Sequence, residues 1–300
     1  MDVLFGEEIT MEGKKLWLII WMVLFAMCSV GCSANSIVKS LIDSELSGPI
    51  NGEIKKQYQL DGMQVKLDIS LDDEMLVDYT THTITFFPSN SQISVVTVSD
   101  AGFQRDLTLF SGSAEGKLTY RYMENGVERD FSDYGRTWWE QILPSIFRET
   151  GYDYRQRIRQ IVEKSGTSAA LSDTNQVVSD MVCSLYLREL VNHYSLTDKE
   201  YETTLLISEN IKSDSNHADF LSAFVRSDAF SEHLTFLLKT ATDNIQSSYE
   251  LARVLEQVIR SPKINKEEKK NVLNAAAFIS SKSEKQRILR LLSAVQDDND

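Results

Sequence analysis

The stretch "IKSDSNHADFLSAFV", Ile211–Val225, sets the reading of the second half of the chain because it has counterparts at a constant step. "VVSDMVCSLYLRELV" begins at Val177, "IQSSYELARVLEQVI" at Ile245 and "ISSKSEKQRILRLLS" at Ile279, so successive copies start 34 residues apart without an insertion. The aligned columns carry a physical meaning. Ser179, Ser213, Ser247 and Ser281 share the third column, where a hydroxyl caps the first free amides of a helix, and Glu250 and Glu284 stand three residues on, as a capping box requires. Leu187, Leu221, Leu255 and Leu289 share a later column, flanked by Tyr186, Phe220, Val254 and Ile288. This is one apolar stripe per helix.

A second helix follows each first one, with Thr197, Ser231 and Asn265 in a common N-cap column, and "TDKE" and "NKEE" add Glu at the third helical position. A helix hairpin of this length cannot bury its apolar face alone; stacking on the next unit supplies the partner. Before the first copy, "WWEQILPSIFRET" and "RQRIRQIVEKSG" also show helical spacing. Residues 136–300 are therefore expected to form an α-solenoid of 34-residue helix-hairpin repeats, with units starting at 177, 211, 245 and 279. The form is HEAT-like or tetratricopeptide-like in general, without the Trp, Gly, Tyr and Pro signature of tetratricopeptide repeats.

Upstream the period changes to two. In "QVKLDISL", Val65, Leu67, Ile69 and Leu71 alternate with polar residues, the pattern of a strand with one buried face. Similar runs follow at 82–87, 93–98, 107–110 and 118–123, separated by turn residues such as Asp61-Gly62 and Asp100-Ala101-Gly102. In "LTYRYMENGVERDFS", Asn125-Gly126 supplies the positive φ angles of a type I′ hairpin. Residues 52–135 are expected as a small antiparallel β domain, which makes the fold class α+β. Asp72, Asp73 and Glu74 read as a solvated turn, since no EF-hand spacing accompanies them, and no metal site is expected.

Composition bounds the partners. With 42% hydrophobic and 25% charged residues in 300, the chain is globular in type. Its net charge of −13, with sixteen acids against eight bases over residues 33–135, speaks against nucleic acid, which needs clustered Lys and Arg. The N-terminal stretch "KKLWLIIWMVLFAMCSVGCS" places two lysines before sixteen apolar or small residues, Leu16 to Gly31. That is short of the roughly 20 residues of a membrane-spanning helix and fits the core of a signal peptide over residues 1–31. Acids dominate before Lys14, which is the wrong sign for a leader; a start at Met11 restores it. "SVGC" resembles a bacterial lipobox, with Ser29 in place of the usual Leu. The resemblance implies that Cys32 is lipidated and that 32–51 is a tether. Each buried methylene of an acyl chain then contributes about 0.8 kcal/mol to membrane attachment.

Catalytic patterns are wanting. Cys183 alone would remain after Cys28 and Cys32 are accounted for, and it reads as a small core residue. "SGSAEG" has the wrong order for a nucleophile elbow, no phosphate-cradling GxxxxGK[ST] occurs, and His82, His193, His217 and His233 are scattered, with His217 and His233 read as helix-surface residues. Trp138 and Trp139 are read as a domain joint or binding surface.

The segments "LDISLDDE", "YRYMENGVERDFSDYGRTWWEQILPSIFRETGY", "SDMVCSLYLREL" and "IQSSYELARVL" resemble a group of bacterial envelope proteins with a small β-rich module, a helix carrying "LP" and "RETG", and leucine-rich helical repeats. In some relatives this region is similar to the extracytoplasmic part of penicillin-receptor-type sensors, whose zinc peptidase motif HExxH is absent here. The resemblance implies an exported, membrane-anchored lipoprotein of the cell envelope. The expected role is that of a non-catalytic scaffold for another envelope protein, without cofactor or small-molecule ligand; the alternative is an accessory sensor or regulator in an envelope stress pathway.

Overall fold

The computed structural model describes residues 52–111 and 118–297, which belong to one compact unit. The leader, the lipobox Cys32, the tether and most of "SGSAEG" lie outside the described residues. The class is α+β: an antiparallel sheet followed by helices.

Among the described residues, six strands form a meander in the order β1 (Gly52–Leu60), β2 (Met63–Leu71), β5 (Gln92–Ser99), β6 (Gln104–Ser111), β7 (Leu118–Glu124) and β8 (Val127–Arg129). The short strands β3 (Leu76–Asp78) and β4 (Thr83–Phe86) pair as a separate ribbon. Asp61-Gly62 and Asn125-Gly126 both adopt the left-handed pair of φ angles, 46° and 77°, and 48° and 78°, that tight antiparallel hairpins require. Register follows from the alternation. Leu67, Val95, Leu107 and Tyr122 stand opposite one another on the buried face, while Lys55, Asp68, Ser94, Thr108 and Arg121 form a polar row on the other. A slip by one residue would exchange the two faces.

Strand β1, "GEIKKQYQL", is not evident from periodicity, because Lys56 interrupts the inward row of Ile54, Tyr58 and Leu60. The interruption has a partner. Lys56 Nζ donates to the Glu149 carbonyl and lies 3.9 Å from its carboxylate.

After a π-helical turn at Phe131–Gly135, helix α1 (Arg136–Thr150) lays Trp138, Trp139, Ile142, Leu143, Ile146 and Phe147 on the sheet. Gly151 ends it at φ 67°, its amide closing onto the Phe147 carbonyl at 3.0 Å. The Tyr152 hydroxyl then bridges the ribbon, donating to the Met75 carbonyl at 2.9 Å and accepting from the Met75 amide at 2.7 Å. The sheet's hydrophobic cluster thus extends through α1 to Tyr152.

Nine further helices follow among the described residues: α2 (Tyr154–Ser165), α3 (Thr167–Thr174), α4 (Asp180–His193), α5 (Asp198–Ser208), α6 (Asp214–Arg226), α7 (Leu234–Asn244), α8 (Ser248–Arg260), α9 (Lys266–Ala276) and α10 (Lys282–Asp297). They pack in two layers. Helices α2, α4, α6, α8 and α10 neighbour one another in order, as do α3, α5, α7 and α9. The starts of α4, α6, α8 and α10, at 180, 214, 248 and 282, are 34 residues apart. Leu187, Leu221 and Leu255 are wholly buried between layers, whereas Leu289 is 37% exposed. None of the described helices is long and apolar enough to cross a membrane.

The caps depart from expectation at defined places. Thr197 and Asn265 form complete capping boxes with Glu200 and Glu268. Ser231 does not cap: residues 228–233 form successive turns and α7 begins at Leu234, with His233 before it and no side-chain cap bond.

Candidate functional site

Two kinds of polar contact join successive helix pairs. At the helix starts, the first residue of each helix reaches forward to the chain entering the next. Asp180 accepts from the Ser213 amide at 2.7 Å, Asp214 from the Ser247 and Gln246 amides at 2.7 and 3.2 Å, and the Ser248 hydroxyl from the Ser281 amide at 3.1 Å. Glu149, near the end of α1, does the same for α4, accepting from Val178 and Ser179 at 2.9 and 3.1 Å. These acceptors explain why the capping boxes expected at Glu250 and Glu284 do not form: the cap amide that each glutamate would need already bonds to the preceding unit.

The two carboxylates turn instead to arginines of their own helices, Glu250 to Arg253 at 2.7 Å and Glu284 to Arg287 at 2.9 Å. Both arginines also reach back one helix, Arg253 Nη1 to Asp219 at 2.7 Å and Arg287 Nη1 to Glu256. Burial works against the Arg253 charge, but Asp219 and Glu250 outweigh it and raise its pKa. A ladder of charges therefore runs along one face of α6, α8 and α10. On the adjoining edge of helix starts, Val178, Met181 and Tyr249 stand exposed.

Between α3 and α5 lies an open groove of about 560 Å³, lined among others by Ser168, Leu171, Asn175, Glu200, Thr203 and Leu206. Burial alone would raise the Glu200 carboxyl, but hydrogen bonds from Thr167, Thr197 and Ser168 outweigh it and hold the group at about 2. Glu200 is thus an ionised acceptor committed to hydroxyls of its own cap and of the start of α3, not a group poised for proton transfer.

Trp138 and Trp139 are both buried in the sheet cluster, Trp138 with its ring 5.8 Å from that of Tyr122. Cys183 is buried in the helical cluster, and burial, assisted by Asp180 and Glu149, pushes its thiol up to about 12, which leaves no thiolate to react. The two histidines expected at helix surfaces are interior. His217 is fully buried, with Nε2 3.1 Å from the Ser208 hydroxyl, and burial lowers its pKa to about 4. His233 packs against Tyr201 and Phe224 at ring distances of 6.0 and 6.3 Å. Both lie inside because α5 packs over them, Ser208 against His217 and Tyr201 against His233. Asp72 and Asp73 are exposed, with Asp73 accepting from the Glu74 amide at 2.8 Å.

A further buried polar cluster has no sequence signature. Asp173 accepts from Arg157 Nε and Nη2 at 3.0 and 2.8 Å and from Arg148 Nη1 at 3.2 Å, while the Arg157 guanidinium lies 5.4 Å from the Tyr79 ring centre. The only hint lay in helical spacing: Arg157 shares a face with Tyr154 and Ile158, both buried. Glu149 was equally hidden, since its partners come from β1 and the entry to α4.

Comparison of the chain with protein-family models, with curated proteins and with solved structures finds no match.

Proposed function

We propose that residues 177–297 are an α-solenoid of 34-residue helix-hairpin repeats and that the protein is a lipid-anchored, non-catalytic scaffold for another protein of the bacterial cell envelope. One observation carries the reading: α4, α6, α8 and α10 start at a constant step and are joined, unit to unit, by the same acceptor-to-cap-amide contact. Stacked hairpins of this kind offer an extended surface whose side chains can vary without disturbing the interior, which suits protein partners. The charge ladder and the exposed Val178, Met181 and Tyr249 give one part of that surface both polar and apolar anchors.

The test is crosslinking in the native membrane followed by mass spectrometry, with full-length protein, a Tyr249→Ala/Arg253→Glu variant, and Cys32→Ala. A discrete partner captured by the wild type and lost in the surface variant supports the scaffold. No partner, or equal capture by the variant, overturns it. Release of Cys32→Ala from the membrane fraction supports the anchor; an unchanged membrane fraction overturns it.

A further inference from the structure

We infer that the loop before α7 and the start of α5 form a binding site for a divalent transition-metal ion of the zinc type, held by Asp198, Glu232 and His233. One carboxylate oxygen of Asp198, one of Glu232 and one imidazole nitrogen of His233 lie within 4.8 Å of one another. The 34-residue step brings the two acids together: Asp198 and Glu232 occupy the same place in successive units, at the start of the second helix. His233 follows directly and adds the nitrogen.

Two observations separate this group from an ordinary surface cluster. First, His233 is only 8% exposed, and its Nε2 is shielded from solvent without a hydrogen-bond partner. A buried imidazole nitrogen left bare forfeits about 1–3 kcal/mol, a cost that a metal bond at Nε2 itself would offset, and the site is inferred with Nε2 as the nitrogen ligand. Second, α7 is the one second-layer helix of the three consecutive units whose start is not fastened by its own side chains. Helices α5 and α9 have full capping boxes, whereas His233 makes no cap bond. An ion bridging Asp198 to residues 232–233 would fasten that turn to the neighbouring unit.

The donor set selects the ion. Calcium and magnesium take all-oxygen shells, whereas one imidazole with two carboxylates suits zinc and its first-row neighbours and offsets the double positive charge. Both carboxylates are exposed and free to rotate inward to metal bonds of about 2.0–2.2 Å, leaving a fourth position for water. The assignment is independent of any partner protein.

The experiment is zinc titration of the purified full chain by calorimetry and by competition with a chromogenic chelator, repeated with cobalt for its visible absorption. The wild type is expected to bind one equivalent and to gain in Tm on adding zinc. Asp198→Asn/Glu232→Gln, exposed changes that leave the fold intact, should weaken binding by at least about tenfold and abolish the Tm gain. His233→Ala should remove the nitrogen-ligand signature from the cobalt spectrum. Absence of stoichiometric binding by the wild type overturns the site. So does unchanged affinity in the double variant, which would place the metal elsewhere, for instance at His193 beside Glu189.

Discussion

At the residue scale, Glu149 and His217 show how single buried polar groups are tolerated. Glu149, 4% exposed, is held by two backbone amides and by Lys56, so three elements meet on one carboxylate. Replacing it by Ala orphans both amides and removes the carboxylate beside Lys56, whose bond to the residue 149 carbonyl remains. Glu149→Ala should cost about 2–4 kcal/mol in urea unfolding, and Glu149→Gln, which keeps one acceptor, less than that. His217 is held neutral by burial, with Asp214 and Asp180 opposing the shift and Lys212 adding to it. Its folded pKa, about 4, lies below the ordinary 6.5, so the unfolded chain binds the proton more readily. The stability tied to this group is fully present above pH 6.5 and is lost as pH falls towards 4, about 3 kcal/mol in all. Leu251 occupies the same place one unit on and is buried. His217→Leu should therefore flatten the pH dependence of unfolding between 4 and 6.5, and an unchanged slope would contradict the assignment.

At the element scale, the helix starts separate true caps from apparent ones. Thr197 and Ser231 align in sequence, but only Thr197 accepts from a helix amide, that of Glu200 at 3.3 Å. Thr197→Ala should destabilise by about 1 kcal/mol, whereas Ser231→Ala should stay within about 0.5 kcal/mol of the wild type in the same denaturation series. The first helices differ again, because their cap amides belong to the preceding unit. Asp214→Ala, which frees the Gln246 and Ser247 amides, should cost more than Ser213→Ala, whose hydroxyl accepts one long bond from Asn216 at 3.4 Å.

At the scale of the whole molecule, stability is graded along the helical array because each helix depends on its neighbours. Leu255 is wholly buried and Leu289 is partly exposed. Leu255→Ala should cost about 2–5 kcal/mol, and Leu289→Ala distinctly less, as cavity formation requires a surrounding wall. Native-state hydrogen exchange should show α10 opening before α6. At the other end the array does not begin on a free face. Tyr152, Glu149 and the Arg148–Arg157–Asp173 cluster tie α1, α2 and α3 to the sheet and its ribbon.

Periodicity alone determined the existence of the two kinds of structure, the strands of the β half with their Asn125-Gly126 hairpin, and the 34-residue step of the helices, because each depends on neighbours close in sequence. The short strand β3 and the Lys56-interrupted β1 were illegible, since a three-residue strand has no period and a buried lysine breaks one. Only tertiary structure assigned α1 to the sheet core, took the cap amides from Glu250 and Glu284, placed His217 and His233 inside, and brought Asp198 beside His233. In each case the deciding partner lies on another element, and competition for one amide, one apolar face or one buried site is settled by distance in space.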